Sequence, residues 1–463
     1  MLETKPDPEE PDPVEPDPVE PEEEGYRRVC YYTSWAQYRP DPYKFFPEDL
    51  DANMCDYFIF AFAYVYIEPY IQVVTYEWND VDMYRKLYEH VKEFNPGAQT
   101  LLSVGGWNMR MENVTKMLET PENRQDFITS CIKFLRDHDF DGLDLDFEYP
   151  GDVGQGGRAE DKQKFTALVT EMRGSFEQEA VDKGNPRLLL AAAVGAGEQT
   201  VENGYEIERI SDELDFINLM TYDFHGAWDS NTGFNAPLYP PSNNPYDTMN
   251  VESAVNMWID GGAPPNKINL GIPTYGRTFT LADPGANGVG SAANGAGSAG
   301  AYTKEPGFLA YYEICNMVNS HGTMVYDEEQ QVPYVYLEDQ WVTYDDQESI
   351  EAKVNFLKEM GLGGAMVWAP DLDDFNQRTC GLGPYPLLTK INSMLETKPD
   401  PVEPDDPVEP DDPIEPDPVE PDPVEPEDWF GICSNRMIVS PVLEEKDDGD
   451  YADPVDCSKY YAL

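Results

Sequence analysis

Three carboxylates alternate with large apolar side chains in Phe140-Asp141-Gly142-Leu143-Asp144-Leu145-Asp146-Phe147-Glu148-Tyr149-Pro150. A period of two is that of a β-strand, so Asp144, Asp146 and Glu148 share one face and Leu145 and Phe147 take the other. Three acids side by side are costly to bury, and an ordinary core strand carries Val or Ile at such positions. An ordinary surface strand does not carry leucine and phenylalanine between its acids. Carboxylates placed this way repel one another, which raises at least one pKa, as a catalytic acid requires. The residues alone leave two other readings open: a Mg²⁺ site built from the same acids, or a solvated edge strand.

The surroundings of this strand narrow the fold. Short apolar runs that read as buried parallel strands occur at Val29–Thr33, Tyr57–Tyr64, Thr100–Val104, Gly142–Glu148, Leu188–Val194, Phe216–Tyr222, Ile268–Pro273 and Ala365–Trp368. Helical patterns such as Val81–Phe94, Arg124–Asp137, Asp161–Ala180, Val251–Asp260 and Gln347–Met360 separate most of them. Eight strands alternating with helices predict an α/β fold of the (β/α)8 TIM-barrel type, whose active residues lie at the C-terminal strand ends. The gap between the seventh and eighth strands is too long for one helix and its loops. We expect a small α+β subdomain inserted there, over about 278–346.

Charge and composition bound the partners. The formal charge is −58, which disfavours nucleic acid and anionic membranes. Roughly −30 of it belongs to the segment between two acidic, proline-rich stretches. Those stretches, residues 1–24 and 394–428, repeat Pro-Asp-Pro-Val-Glu-Pro units, too rich in proline for helix or sheet, and read as extended linkers. The octapeptide Met1–Pro8 recurs at Met394–Pro401. The chain is therefore expected to begin inside a linker, with residues upstream missing. Residues 25–393 have a globular composition, and the tail, 429–463, is too short to build much of a core.

The strand motifs resemble a known family. Asp141-Gly-Leu-Asp144-Leu-Asp146-Phe-Glu148 is similar to the DGxDxDxE signature of family 18 glycoside hydrolases, the chitinases. Ser103-Val-Gly-Gly-Trp107 resembles that family's third strand, Cys30-Tyr-Tyr-Thr-Ser-Trp35 its first, Met220-Thr-Tyr-Asp-Phe-His225 its sixth and Gly364-Ala-Met-Val-Trp368 its eighth. Tyr275-Gly-Arg277 precedes the insertion, as in the subgroup with an extra α+β domain. The linkers resemble those of arthropod secreted chitinases with several catalytic domains. Ala452-Asp-Pro-Val-Asp-Cys457-Ser-Lys-Tyr-Tyr461 resembles the start of a peritrophin-type chitin-binding module, cut short here. Phe147 stands where the family commonly has Trp, on the face away from the acids, so a change of packing with retained chemistry is expected.

The resemblance implies an endo-acting chitinase that hydrolyses β-1,4-linked N-acetylglucosamine polymers with retention, without metal or cofactor. Glu148 would be the general acid. Asp146 lies two residues before Glu148 on the same face, about 6.6 Å along an ideal strand, a separation that by itself leaves the stereochemistry open. In the family's mechanism the substrate's own acetamido oxygen is the nucleophile. Asp146 then orients the acetamido nitrogen and stabilises an oxazolinium ion, Asp144 couples to Asp146, and Tyr222 donates to the acetamido carbonyl. Asp141 points away and is expected to make structural hydrogen bonds. Tyr31, Phe62, Trp107, Tyr149, Met220, Asp223, Tyr275, Arg277 and Trp368 would bind sugar, aromatic faces meeting the flat C–H surfaces of pyranose rings. For Arg277 a salt bridge holding the insertion is an equal alternative. Lectin-like relatives usually lose the acid that Glu148 supplies, so a binding protein on the same barrel is the rival reading. A metal-dependent hydrolase and a matrix spacer protein are further rivals.

The family pattern also implies disulfides Cys30–Cys55 and Cys315–Cys380. Cys131 lies on the apolar face of a helix and reads as a buried free thiol. Cys433 and Cys457 belong to the tail. Paired cysteines, linkers and the glycosylation acceptor Asn113-Val-Thr115 favour a secreted, extracellular setting. The resemblance implies chitin and chitooligosaccharides as partners of a monomeric protein that is part of a longer multidomain chain.

Overall fold

The computed structural model describes residues 25–395. Apart from Met394 and Leu395, which end a helix, the segments 1–24, 394–428 and 429–463 lie outside the described residues.

In chain order the first half comprises β1 (Arg27–Thr33), β2 (Tyr57–Tyr66), β3 (Gln72–Thr75), α1 (Asp80–Phe94), β4 (Gln99–Gly105), α2 (Met111–Leu118), α3 (Pro121–Asp137), β5 (Gly142–Asp146), α4 (Asp161–Lys183) and β6 (Leu189–Val194). Then follow α5 (Glu198–Gly204), α6 (Ile207–Glu213), β7 (Phe216–Leu219), α7 (Val251–Asp260) and β8 (Ile268–Pro273). The inserted region holds β9 (Tyr275–Leu281), β10 (Ala293–Ala296), β11 (Phe308–Ala310), α8 (Tyr311–Asn319), β12 (Thr323–Asp327), β13 (Val332–Leu337) and β14 (Gln340–Thr343). The chain returns through α9 (Gln347–Glu359) to β15 (Gly364–Trp368) and α10 (Pro386–Leu395).

Eight parallel strands run in the order β1-β15-β8-β7-β6-β5-β4-β2, and a β1–β2 pairing closes them into a barrel. The expected TIM barrel is therefore present. The short antiparallel β3, paired to the overhanging end of β2, is an addition that the sequence reading lacked. The insertion is a separate antiparallel sheet of six strands with α8 packed beside it.

Strand parity organises the core. Val29, Tyr31, Ile59, Leu101, Ala191 and Met366 fill the barrel interior, whereas Cys30, Tyr32, Leu102, Leu143, Leu145 and Phe147 join the layer beneath the helices. Phe147 meets Phe165 of α4 edge-on at 6.0 Å between ring centroids, the exterior packing expected of it. Helix starts are set by local chemistry: Thr120 accepts from Asn123 N, Asn250 from Ser253 N, and Asp346 from Glu348 N and Ser349 N.

Cys30–Cys55 joins β1 to the segment before β2, and Cys315–Cys380 joins α8 to the segment before α10, with Cα–Cα distances of 6.1 and 5.1 Å. Cys131 is a buried free thiol. No helix among the described residues is long and apolar enough to cross a membrane.

Candidate active site

The signature strand departs from expectation at its end. β5 pairs with β4 as far as Gly105↔Asp146 and stops there, so Glu148 stands two residues beyond the strand instead of on it. Gly105 and Gly106 cause the stop. Both have positive φ, +137° and +83°, and Gly106 N donates to the Asp146 carbonyl oxygen at 2.8 Å. A Cβ at Gly105 would fall 1.9 Å from that oxygen, and one at Gly106 would fall 2.4 Å from the Phe62 ring. Gly105→Ala is therefore expected to cost about 3 kcal/mol or more of stability, from the strained φ and the backbone clash together. Thermal unfolding checks this, and a melting temperature unchanged from wild type would contradict it.

Asp144 and Asp146 are buried inside the barrel. Tyr31 donates to Asp144 Oδ2 at 2.9 Å, Ser103 donates to the same oxygen at 2.7 Å, and Asn218 Nδ2 lies 3.4 Å from Oδ1. Burial pushes the Asp144 carboxyl up to about 6, and these three donors, which favour the charged form, limit the rise. Asp146 has no such support. Burial, then the charges of Glu148 and Asp144, drive its pKa well above the ordinary value, and its Oδ1 is buried without a hydrogen-bond partner. Glu148 is pushed up to about 7, by burial first and by the Asp223 charge in addition. The set thus holds a carboxyl that is protonated to a large extent near neutrality, above a pair in which the proton favours Asp146. Asp141, as expected, faces away: its Oδ2 accepts from Thr100 N at 2.8 Å and from Lys92 Nζ at 3.0 Å.

The chain after β7 forms the facing wall. The strand expected over Phe216–Tyr222 pairs only through Leu219, because the backbone then turns, reaching a left-handed conformation at Asp223, φ 60°. Asn235 holds that turn, its Oδ1 accepting from Asp223 N at 3.0 Å. Glycine at 271 makes room for it, since a Cβ there would lie 3.0 Å from the Tyr222 ring and 2.4 Å from the Leu219 carbonyl oxygen. Tyr222 is half-buried beside Tyr275, edge-on at 6.1 Å. Met220 is buried.

Asp223 is the junction to the inserted sheet. Arg277 donates to it from Nε at 2.7 Å and from Nη2 at 2.6 Å, and the Tyr275 hydroxyl donates at 2.7 Å. The guanidinium also lies 5.2 Å from the Trp228 ring centroid and 5.4 Å from that of Phe308. The salt-bridge alternative for Arg277 is therefore present in the structure. Nearby, His225 and Asp229 pair at 3.0 Å.

Trp368, at the end of β15, lies among rings carried by the adjoining β1 and β2 and the turn after β1: 5.2 Å from Tyr31, 5.9 Å from Phe62 and 6.2 Å from Trp35. Tyr149 follows Glu148 and packs against the barrel interior. Trp107 does not join these rings; it stands two residues past β4 and is 61% exposed. Asn113 is half-buried on α2, and the Thr115 hydroxyl of its acceptor motif is buried and donates to Asp161. Ser103, Asn218 and Asn235 are site residues that the sequence reading did not assign. Asn218 had a signal: a polar residue within the apolar run Phe216-Ile-Asn-Leu. Among the described residues, no group of three or more His, Cys, Asp or Glu is placed to hold a metal ion.

Comparison with known proteins places this architecture. A family model described as glycosyl hydrolases family 18 matches residues 27–373. Chitotriosidase-1 of Mus musculus is 47% identical over 369 residues, covering 79% of this chain and 77% of the relative. Among solved structures, human YKL-39, described as a pseudo-chitinase with retained chitooligosaccharide binding properties, superposes with a TM-score of 0.76 at 40% identity, over 80% of this chain and 100% of that one. Catalytic domain 2 of the Ostrinia furnacalis Group II chitinase gives 0.76 at 37% identity, over 81% and 98%. With the barrel, the insertion and the acid-bearing strand end in place, the chain belongs to glycosyl hydrolase family 18.

Proposed function

We propose that this protein is an endo-acting, retaining chitinase that cleaves β-1,4 linkages of N-acetylglucosamine polymers by substrate assistance. The observation that carries this reading is Glu148, a carboxyl held at about 7 directly beyond the buried Asp144–Asp146 pair. An acid poised near neutrality can donate its proton to the glycosidic oxygen and later accept one from water. The unpartnered Oδ1 of Asp146 is suited to the acetamido N–H of a bound sugar, with Tyr222 on the acetamido carbonyl. The sugar ring rests on Trp368, with Tyr31, Phe62 and Tyr149 around it. Met220, Asp223, Tyr275 and Arg277 shape the opposite wall, and Trp107 offers a ring at the mouth. Two inversions, by the acetamido oxygen and then by water, give net retention.

Chitin and chitooligosaccharides are the proposed partners, and the two disulfides agree with an oxidising, extracellular setting. The likeness to YKL-39 keeps a second reading in view, binding without turnover. Release of new reducing ends from chitooligosaccharides separates the two. Turnover that persists in a chelator supports the proposed reading; tight binding with no turnover supports the second.

A further inference from the structure

The support of Asp144 extends beyond Tyr31 and Ser103 to the interior faces of β7 and β8. Asn218 Nδ2 approaches both the Tyr31 phenolic oxygen at 3.2 Å and Asp144 Oδ1 at 3.4 Å. The Asn218 side-chain oxygen accepts from Asn269 Nδ2 at 3.0 Å, and the Asn269 oxygen accepts from Arg27 Nε at 3.0 Å. Asn218 and Asn269 are fully buried and face each other in register across β7 and β8. Glycine at 363 leaves room for the guanidinium, since a Cβ there would lie 1.7 Å from Arg27 Nη2.

This row has one sense only. A guanidinium donates and cannot accept, whereas each amide has a donor end and an acceptor end. Arg27 therefore claims the oxygen of Asn269, which leaves the Asn269 NH₂ for the oxygen of Asn218. That in turn leaves the Asn218 NH₂ for Tyr31 and Asp144. Reversing either amide would set like ends face to face in a buried site, where an unmade hydrogen bond is expensive.

We infer that Arg27, Asn269 and Asn218 form an oriented dipole relay that holds Asp144 in place as the ionised member of the Asp144–Asp146 pair. Asn218 is thereby a positioning residue for hydrolysis. The inference rests on the hydrolytic reading proposed above. The titratable groups that face Asp144 are Asp146 on its own strand, Tyr31 on β1 and Tyr222 after β7, and Ser103 adds an uncharged donor from β4. An ionised Asp144 governs the acid limb of activity. Loss of one donor raises its pKa and moves that limb to higher pH.

Two variants test the relay. Asn218→Ala removes the donor. Asn269→Asp keeps an acceptor for Arg27 but takes away the donor to Asn218, so the Asn218 amide turns its NH₂ toward position 269 and its oxygen toward Asp144. Each is expected to lower kcat on chitooligosaccharides about tenfold and to move the acid limb of the kcat profile up by about one pH unit, with KM within about threefold of wild type. A ¹³C-carboxyl titration of Asp144 in the ligand-free protein should shift in the same direction and requires no turnover. Folded variants whose pH profiles and Asp144 titration superimpose on wild type overturn the relay. An inactive wild type in which the titration still shifts overturns the hydrolytic reading while supporting the relay.

Discussion

Replacing Glu148 by Gln is expected to lower chitooligosaccharide hydrolysis about 10²–10⁴-fold and to leave oligosaccharide binding largely intact. Glutamine keeps the shape of the side chain and loses the transferable proton. Glu148 is the only acid of the signature that lies past the strand, partly buried at the barrel mouth, while Asp144 and Asp146 are sealed inside. Neither of those two can take its place at the glycosidic oxygen. The aromatic surface made by Trp368, Tyr31, Trp35 and Phe62 does not depend on the Glu148 charge, which is why affinity should survive. Steady-state turnover and direct titration of binding read the two quantities separately. Near-normal turnover by the variant would remove Glu148 from the role of acid.

Asp146→Asn should move activity and stability in opposite directions. Hydrolysis is expected to fall about 10²-fold or more, because an amide at 146 cannot give up a proton to become the carboxylate that a developing oxazolinium charge needs. Stability near pH 8 should rise, because a buried carboxyl with an unpartnered oxygen gives way to a neutral group. The pH dependence follows from the sign of the shifts. A carboxyl whose pKa is raised by folding binds more protons folded than unfolded, so stability falls as pH rises from the unfolded pKa through the folded one. Asp144 moves from 3.8 to about 6 and Glu148 from 4.5 to about 7. Each therefore costs up to about 3 kcal/mol between roughly pH 4 and pH 8. Melting temperature should be higher at pH 5 than at pH 8. Self-repulsion of the acidic chain acts in the same direction, so the decisive comparison is the slope of stability against pH, which should be shallower in Asp146→Asn than in wild type. Equal slopes would contradict this account of the pair.

Much of this site is legible in the sequence because strand parity is local. The alternation of Asp144 and Asp146 with Leu145 and Phe147 needs no tertiary information, and it placed the acids inside the barrel and the apolar side chains beneath the helices. The eight barrel strands likewise follow from short apolar runs between helical patterns. What parity could not give is where a strand stops. β5 ends at Asp146 because its partner strand ends in two glycines of positive φ, and the run Phe216–Tyr222 breaks after Leu219 because distant Asn235 captures the Asp223 amide. Both depend on contacts across the fold. Asn218 and Asn269 sit at inward positions of apolar strands, and their partnership requires that β7 and β8 be neighbours in register. Trp107 looked equivalent to Trp368 in sequence, each at a strand end, but the turn at Gly105-Gly106 carries it out to solvent. The disulfide partners came from family resemblance, since spacing alone does not fix connectivity.

As proposed above, this chain breaks glycosidic bonds through the substrate's acetamido group. Anomer-resolved analysis of the products of chitooligosaccharide cleavage, taken before mutarotation equilibrates them, tests it most directly. New reducing ends are expected to appear first as the β-anomer, the configuration of the bond that was cut. Initial release of the α-anomer, or binding of the oligosaccharide with no cleavage, would contradict it.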